Sequence, residues 1–202
     1  MTSQSLGLRE RGKADKRARI LAAARRRLEM HTYDAMTMAD VARDADVAVG
    51  TVFSYAATKP ELLMMVTAER WRQIAEADRS GDYAGLDAAA HIGAILRPVV
   101  DEVADDPSNS MAIARELLFG ADGPHRSEVV AIIDGAQREI VDVLKRAGAE
   151  PDRAEEAARM VVSGVLIEAN RTRRHSDDKH SLAQSVATVI DLTVAGALNA
   201  GR

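Results

Sequence analysis

Residues 37–59 read TMADVARDADVAVGTVFSYAATK. They divide into a helix, a tight turn and a second helix. Thr37 with Asp40 three residues on is a capping-box pattern, which satisfies free N–H groups at a helix start. Met38, Val41, Ala42 and Ala45 then recur at helical spacing and form one apolar stripe, with Asp40, Arg43 and Asp44 off it. The pattern breaks at Ala45–Asp46. Asp46 is a residue type that tolerates the left-handed conformation of a turn, and Val47 is placed to plug the angle between the helices. The second helix begins near Ala48 and runs through Val49, Gly50, Thr51, Val52, Phe53 and Ser54 to Tyr55. Two helices across so short a turn make a helix-turn-helix, whose second helix docks in the major groove of DNA. The same geometry also serves as a plain packing corner.

The residue types suit a groove. Gly50 permits close approach to a sugar-phosphate backbone. Thr51 and Ser54 offer hydroxyls to phosphates or base edges, and Val49 can touch a thymine methyl. Tyr55 has an O–H to give to a phosphate. Thr58 and Glu61 form another capping box, with Pro60 tolerated in the first helical turn. Lys59 sits at that helix start, where its charge can meet a phosphate. Thr37, at the start of the first helix, completes the candidate DNA-binding set.

Arg19-Ile20-Leu21-x-Ala23-Ala24, Thr37-Met38-x-x-Val41-Ala42, Ala45-x-Val47, Gly50-Thr51-Val52-Phe53-x-Tyr55 and Lys59-x-x-Leu62-Leu63 together resemble the N-terminal domain of TetR-type transcriptional regulators. The likeness covers about residues 15–65, and order and spacing agree across several short motifs. It implies an all-α protein with an N-terminal three-helix DNA-binding domain and a C-terminal helical domain for ligand binding and dimerisation. It further implies a dimeric repressor released from a double-stranded DNA operator by a small-molecule effector. The chain departs from the family pattern at four places: Asp46 stands for the turn glycine, Ala48 for the capping serine, Phe53 for a tyrosine, and Ala56 for an aromatic.

A chain of 202 residues with 47% apolar residues is long enough to bury a core. It has no cysteine, so disulfides, thiolate metal sites and thiol nucleophiles are excluded. No stretch approaches 18 uninterrupted apolar residues, and the N-terminus lacks the apolar core of a signal peptide. A cytoplasmic protein with no membrane span is the expectation. The formal charge of −4 is unevenly spread: residues 1–60 carry 11 Lys and Arg against 7 Asp and Glu, while the rest carry 16 against 24. A basic N-terminal part on an acidic body suits a DNA reader with a separate partner domain.

Residues 1–14, polar and basic, read as a flexible arm able to follow a DNA backbone or simply to keep the chain soluble. Residues 15–60 form the expected DNA-binding domain and 61–202 the regulatory and dimerisation domain. Helices are expected over about 14–30, 37–45, 48–55, 59–80, 86–104 (kinked at Pro98), 110–119, 126–147, 152–174 and 181–199. His31 and Tyr33 fall in a connection, Tyr33 as a core cap. Asp105 to Asn109 and Gly120 to Pro124 read as breaks, and Gly148 as a C-cap glycine. The last two helices combine apolar surface with small residues such as Ser163, Gly164, Ala187 and Gly196. Paired with their copies they would form a four-helix dimer interface, or alternatively bury within one chain.

The chain holds no His-Glu-x-x-His, phosphate loop or nucleophile elbow, so no catalytic residue, metal or cofactor is assigned. His175 to His180 reads as a solvated loop. Trp71, His91, Met111, Arg115, Phe119, Met160 and Asn170 are the candidate ligand-binding residues, with Arg97 and Glu116 as further polar candidates. Aromatics are few here, which favours an aliphatic ligand over a flat one. Two other readings stand beside the regulator: an all-α enzyme, and a helical interaction module that has lost specific DNA binding.

Overall fold

A computed structural model describes residues 7–78, 83–174 and 181–199. Residues 1–6 of the expected arm, the Gly81-Asp82 segment and the His175–His180 segment lie outside the described residues. Among the described residues the regular structure is entirely helical.

Helix α1 spans Leu8–Met30. Its start corrects the expected arm, because residues 8–14 are helical. Arg, Glu, Lys and Ala favour helix without leaving an apolar period to read. Near that end the Tyr55 hydroxyl donates to the Lys13 carbonyl at 2.9 Å. After a short 3-10 turn at Tyr33–Ala35 come α2, Met38–Asp44, and α3, Val49–Tyr55. Helix α4, Lys59–Asp78, runs from the head into the body. Ile20, Ala24, Tyr33, Met36, Val41, Val52, Leu62 and Leu63 are buried in one core, so α4 is built into the head it leaves.

The Thr37 hydroxyl accepts the Asp40 N–H at 3.1 Å and donates to the Asp40 carboxylate at 2.7 Å. The carboxylate thus meets the capping hydroxyl instead of reaching back to the backbone N–H. That bond and Arg43 hold the Asp40 carboxyl below its ordinary range. Asp46 takes φ 52°, as its residue type foretells. The Asp46 N–H reaches the Arg43 carbonyl at 3.2 Å and the Val47 N–H reaches the Ala42 carbonyl at 3.0 Å, which closes α2 as a Schellman motif. Arg19 of α1 donates to the Ala45 and Asp46 carbonyls at 2.9 and 3.1 Å, and Arg27 grips Asp44 with two bonds of 2.5 and 3.0 Å. Helix α1 therefore holds the turn from behind.

The body consists of α5 (Ala88–Asp105), α6 (Pro107–Phe119), α7 (Pro124–Arg146), α8 (Pro151–Arg174) and α9 (Leu182–Asn199). Helix α5 starts at Ala88 because Asp87 caps it, accepting the Ala90 N–H at 2.8 Å, and it continues through Pro98. Helix α6 begins at Pro107, not Ser110. Asp106 caps it and Pro107 takes the first position, where a missing N–H costs nothing. Gly148, at φ 99°, ends α7 as expected, with the Ala149 N–H on the Leu144 carbonyl at 3.0 Å. Ile92 and Leu96 of α5, Ile140 and Leu144 of α7, Val161 of α8 and Ile190 of α9 meet in a second core. Gly164 lets α8 close on α9: a Cβ there would lie 2.6 Å from the Val189 side chain. Helix α9 is long and apolar enough to cross a membrane by length and composition. Here Val186, Ile190 and Val194 bury one side of it in the core.

Candidate DNA interface and ligand cavity

Val52 is fully buried and sets the rotation of α3. Val49, Gly50, Phe53 and Ser54 are exposed to solvent. Val49 is 41% and Phe53 46% exposed, an apolar pair one turn apart. A Cβ on Gly50 would meet nothing within 4 Å, so packing within the chain does not require glycine there. Thr51 is half-buried, and the Ser54 hydroxyl donates back to the Thr51 carbonyl at 2.7 Å. Ala48 starts α3 with no side-chain cap. Phe53 belongs to this exposed group, although its sequence marks it only as a lost hydroxyl. The signal for it is its spacing of four from Val49.

Two expected phosphate contacts are differently occupied. The Tyr55 hydroxyl spends its one proton on the Lys13 carbonyl, so it ties α3 to α1 instead of donating outward. Lys59 donates to the Asp34 carbonyl at 3.0 Å and lies 4.4 Å from the centre of the Tyr33 ring. Two of its three N–H groups stay uncommitted by that bond. Thr37 is exposed and caps α2.

Head and body meet through polar side chains that the sequence does not single out. Asn109 of α6 is only 6% exposed. Its Oδ1 accepts the Tyr33 N–H at 2.8 Å, and its Nδ2 donates to the Leu28 carbonyl at 2.9 Å and to Asp106 at 2.6 Å. His125 of α7 places Nε2 at 2.9 Å from the Tyr55 carbonyl, so Nε2 carries the proton, and its backbone N–H reaches Glu61 at 3.4 Å. Arg126 donates to the Glu116 and Leu117 carbonyls at 3.1 and 2.8 Å and closes the end of α6.

Between α4, α5, α6, α7 and α8 lies a cavity of about 370 Å³. Leu96, Val99, Val103, Ile113, Leu117, Ile133 and Leu166 make its wall mainly aliphatic, and its size is that of a small-molecule site. Trp71 and Met111 line it as expected. The remaining ligand candidates do not. His91 stacks on Tyr83 with ring centres 4.6 Å apart, and Arg115 lies 5.9 Å from the Tyr33 ring. Phe119 and Met160 are 83% and 62% exposed, Arg97 is exposed, and Asn170 lies off the wall. Glu116 is also off the wall and pairs with Arg115. Helical spacing shows an apolar stripe but not which part of it faces a gap between neighbours.

Glu102 is the charged side chain of this wall. It is 11% exposed, and Arg70 Nε lies 3.0 Å from its Oε2. Burial pushes its carboxyl above the ordinary glutamate range, opposed by Arg70 and by the nearby Trp71 indole N–H. The indole and the carboxylate stand close but off hydrogen-bond geometry: Trp71 Nε1 and Glu102 Oε2 are both buried without a hydrogen-bond partner.

Residues 20–64 match the family model described as bacterial regulatory proteins, tetR family. These residues contain the whole helix-turn-helix. The chain is 30% identical over 183 residues to the HTH-type transcriptional repressor KstR of Rhodococcus jostii (strain RHA1), covering 89% of this chain and 81% of that protein. The fold is similar to that of Thermus thermophilus FadR, a TetR family transcriptional repressor solved in complex with lauroyl-CoA. The TM-score is 0.70 at 20% identity, over 90% of this chain and 95% of that one. It is also similar to Bacillus subtilis FadR solved in complex with stearoyl-CoA, with TM-score 0.65 at 19% identity over 89% and 98%.

Proposed function

Because the chain belongs to the TetR family of bacterial regulatory proteins, we propose that it is a homodimeric transcriptional repressor, released from its DNA operator when a small, largely aliphatic molecule enters the cavity. One observation carries this: Asn109 sits on α6, which forms part of the cavity wall, and bonds directly to the DNA-reading head at Leu28 and Tyr33. A molecule that moves α6 therefore acts on the placement of α3.

The face of α3 is the proposed reading surface. Val49 and Phe53 meet thymine methyl groups, Thr51 and Ser54 meet base edges or phosphates, and Gly50 admits the backbone closely. Thr37 and the free N–H groups of Lys59 position the head on phosphates. Two heads read half-sites about 34–36 Å apart, one helical turn, or a multiple of that. The ligand shifts the head spacing only by as much as it prefers the released arrangement.

The second copy is proposed to pack on α8 and α9. Met160, Ile167 and Leu192 are 62%, 63% and 71% exposed on these helices. Large apolar side chains exposed on these helices fit a partner surface better than water. The proposal gives the chain no catalytic step and places it in the cytoplasm with the DNA. Acyl-CoA thioesters, the molecules bound in both FadR structures, are the first ligand class to try, since a long acyl chain suits an aliphatic wall.

The test is a mobility shift with DNA from upstream of the protein's own gene, at two salt concentrations. Specific, salt-sensitive binding by a dimer, weakened by an acyl-CoA or another aliphatic ligand, is expected. Absence of binding at low salt would favour the interaction module, for which the uncapped Ala48 and the inward-turned Tyr55 speak.

A further inference from the structure

Trp71 Nε1 has no acceptor in hydrogen-bond geometry, and Glu102 Oε2 has no donor in such geometry, its neighbour Arg70 Nε at 3.0 Å being an ion-pair contact. They stand near each other on the wall of an otherwise aliphatic cavity. Buried polar groups left unpaired destabilise a protein, and a group able to satisfy both at once gains accordingly. We propose that Trp71 and Glu102 form a polar anchor for an uncharged hydroxyl group carried by an apolar ligand. The ligand oxygen accepts from Trp71 Nε1–H, and its own O–H donates to Glu102 Oε2. The proposal rests on the cavity being a ligand site, and it names the polar group that site selects.

Other head groups fit less well. A carboxylate brings a second negative charge against a buried one. Arg70, 3.0 Å from Oε2, already faces Glu102, which leaves little call for a ligand cation. An ether or ketone accepts from Trp71 and gives Oε2 nothing beyond its Arg70 ion pair. A hydroxyl both gives and accepts, so it serves both atoms at once.

Trp71 is the sole tryptophan of the chain, so its emission reports on this wall directly. The intact protein is titrated with 1-decanol, with the methyl ether of decanol and with sodium decanoate at neutral pH, by fluorescence and by calorimetry. Decanol should bind about tenfold more tightly than either, the size of one well-made hydrogen bond to a charged group. Glu102→Gln should narrow the gap between decanol and decanoate. Trp71→Phe, followed by calorimetry, should bring decanol down to the ether. If ether and alcohol bind equally, or decanoate binds best, the anchor is wrong while the aliphatic cavity stands. If none of the three binds, the cavity is not a ligand site and both ideas fall.

Discussion

The side chain of Asn109, in a helix that walls the cavity, accepts the backbone N–H of Tyr33 in the DNA-reading head at 2.8 Å. The same amide donates to the Leu28 carbonyl, at the end of α1. One buried side chain thus stitches the last turn of α1 and the 3-10 turn after it to α6. Replacing it leaves a buried N–H and a partly buried C=O unmatched.

Asn109→Ala should therefore destabilise the protein by about 1–3 kcal/mol. It should also blunt the effect of any cavity ligand on DNA binding, since the head then moves independently of α6. Urea unfolding and mobility shifts with and without ligand check the two halves. Unchanged stability together with an unchanged ligand response would remove Asn109 from the linkage.

On α3, Phe53→Ala and Val49→Ala should reduce preference for the operator more than affinity for random DNA, because methyl contacts read sequence. Lys59→Ala should act on all sequences alike and lower the salt slope by about one. Tyr55→Phe should weaken the α1–α3 tie more than any direct contact, so its loss should appear in thermal stability as well. Competition binding against non-operator DNA separates these cases.

Helix α3 lacks a side-chain cap, and α2 ends on a left-handed aspartate. Ala48→Ser should add about 1 kcal/mol of stability. Asp46→Gly should also stabilise, by up to about 1 kcal/mol, because glycine adopts positive φ without a Cβ clash. Asp46→Val should do the opposite. Thermal melts of the three variants are a direct comparison, and a neutral Asp46→Gly would show that the ion pair of Asp46 with Arg19 matters as much as its backbone.

Ile167→Glu or Leu192→Glu places a charge on an exposed face of α8 or α9 and should leave each chain folded. If that face joins two copies, sedimentation should report monomers, and operator affinity should fall steeply because two heads are no longer linked. A dimer that persists in both variants would locate the interface elsewhere.

The folded state raises the Glu102 pKa, chiefly by burial. The folded protein therefore holds that proton more readily than the unfolded chain does. The stability this contributes is present below the unfolded value and is lost as pH rises through the folded one. Relative to Glu102→Gln, the wild type should be less stable at about pH 7 than at about pH 4. Paired urea melts across that range test the sign.

What could be read beforehand followed from local chemistry. The Thr37 cap, the Thr58 cap (whose hydroxyl accepts the Glu61 N–H at 3.2 Å), the left-handed Asp46, the Gly148 stop and the buried stripe of α2 all depend on neighbours a few residues away. The start of α6 was readable too, since an aspartate before a proline is a helix start, but the polar run from Asp105 to Asn109 looks like a loop. The cavity was not readable in the same way. Met111 and Trp71 lie on it and Met160 does not, a difference made by the packing of helices distant in sequence. Asn109 is a polar residue in a seeming break, and nothing in its neighbours in sequence signals the head it binds.

Helix α1 begins at Leu8, and the Tyr55 hydroxyl is bonded to it at Lys13. Arg11 and Lys13 are thus carried on a stiff rod and do not hang from a loose tether. A tether must surrender conformational freedom each time it settles along a phosphate chain, whereas residues already in a helix have given up theirs on folding. Any contact that this charge makes with DNA would be preorganised, and its contribution should be sensitive to helix breakers far more than to linker length.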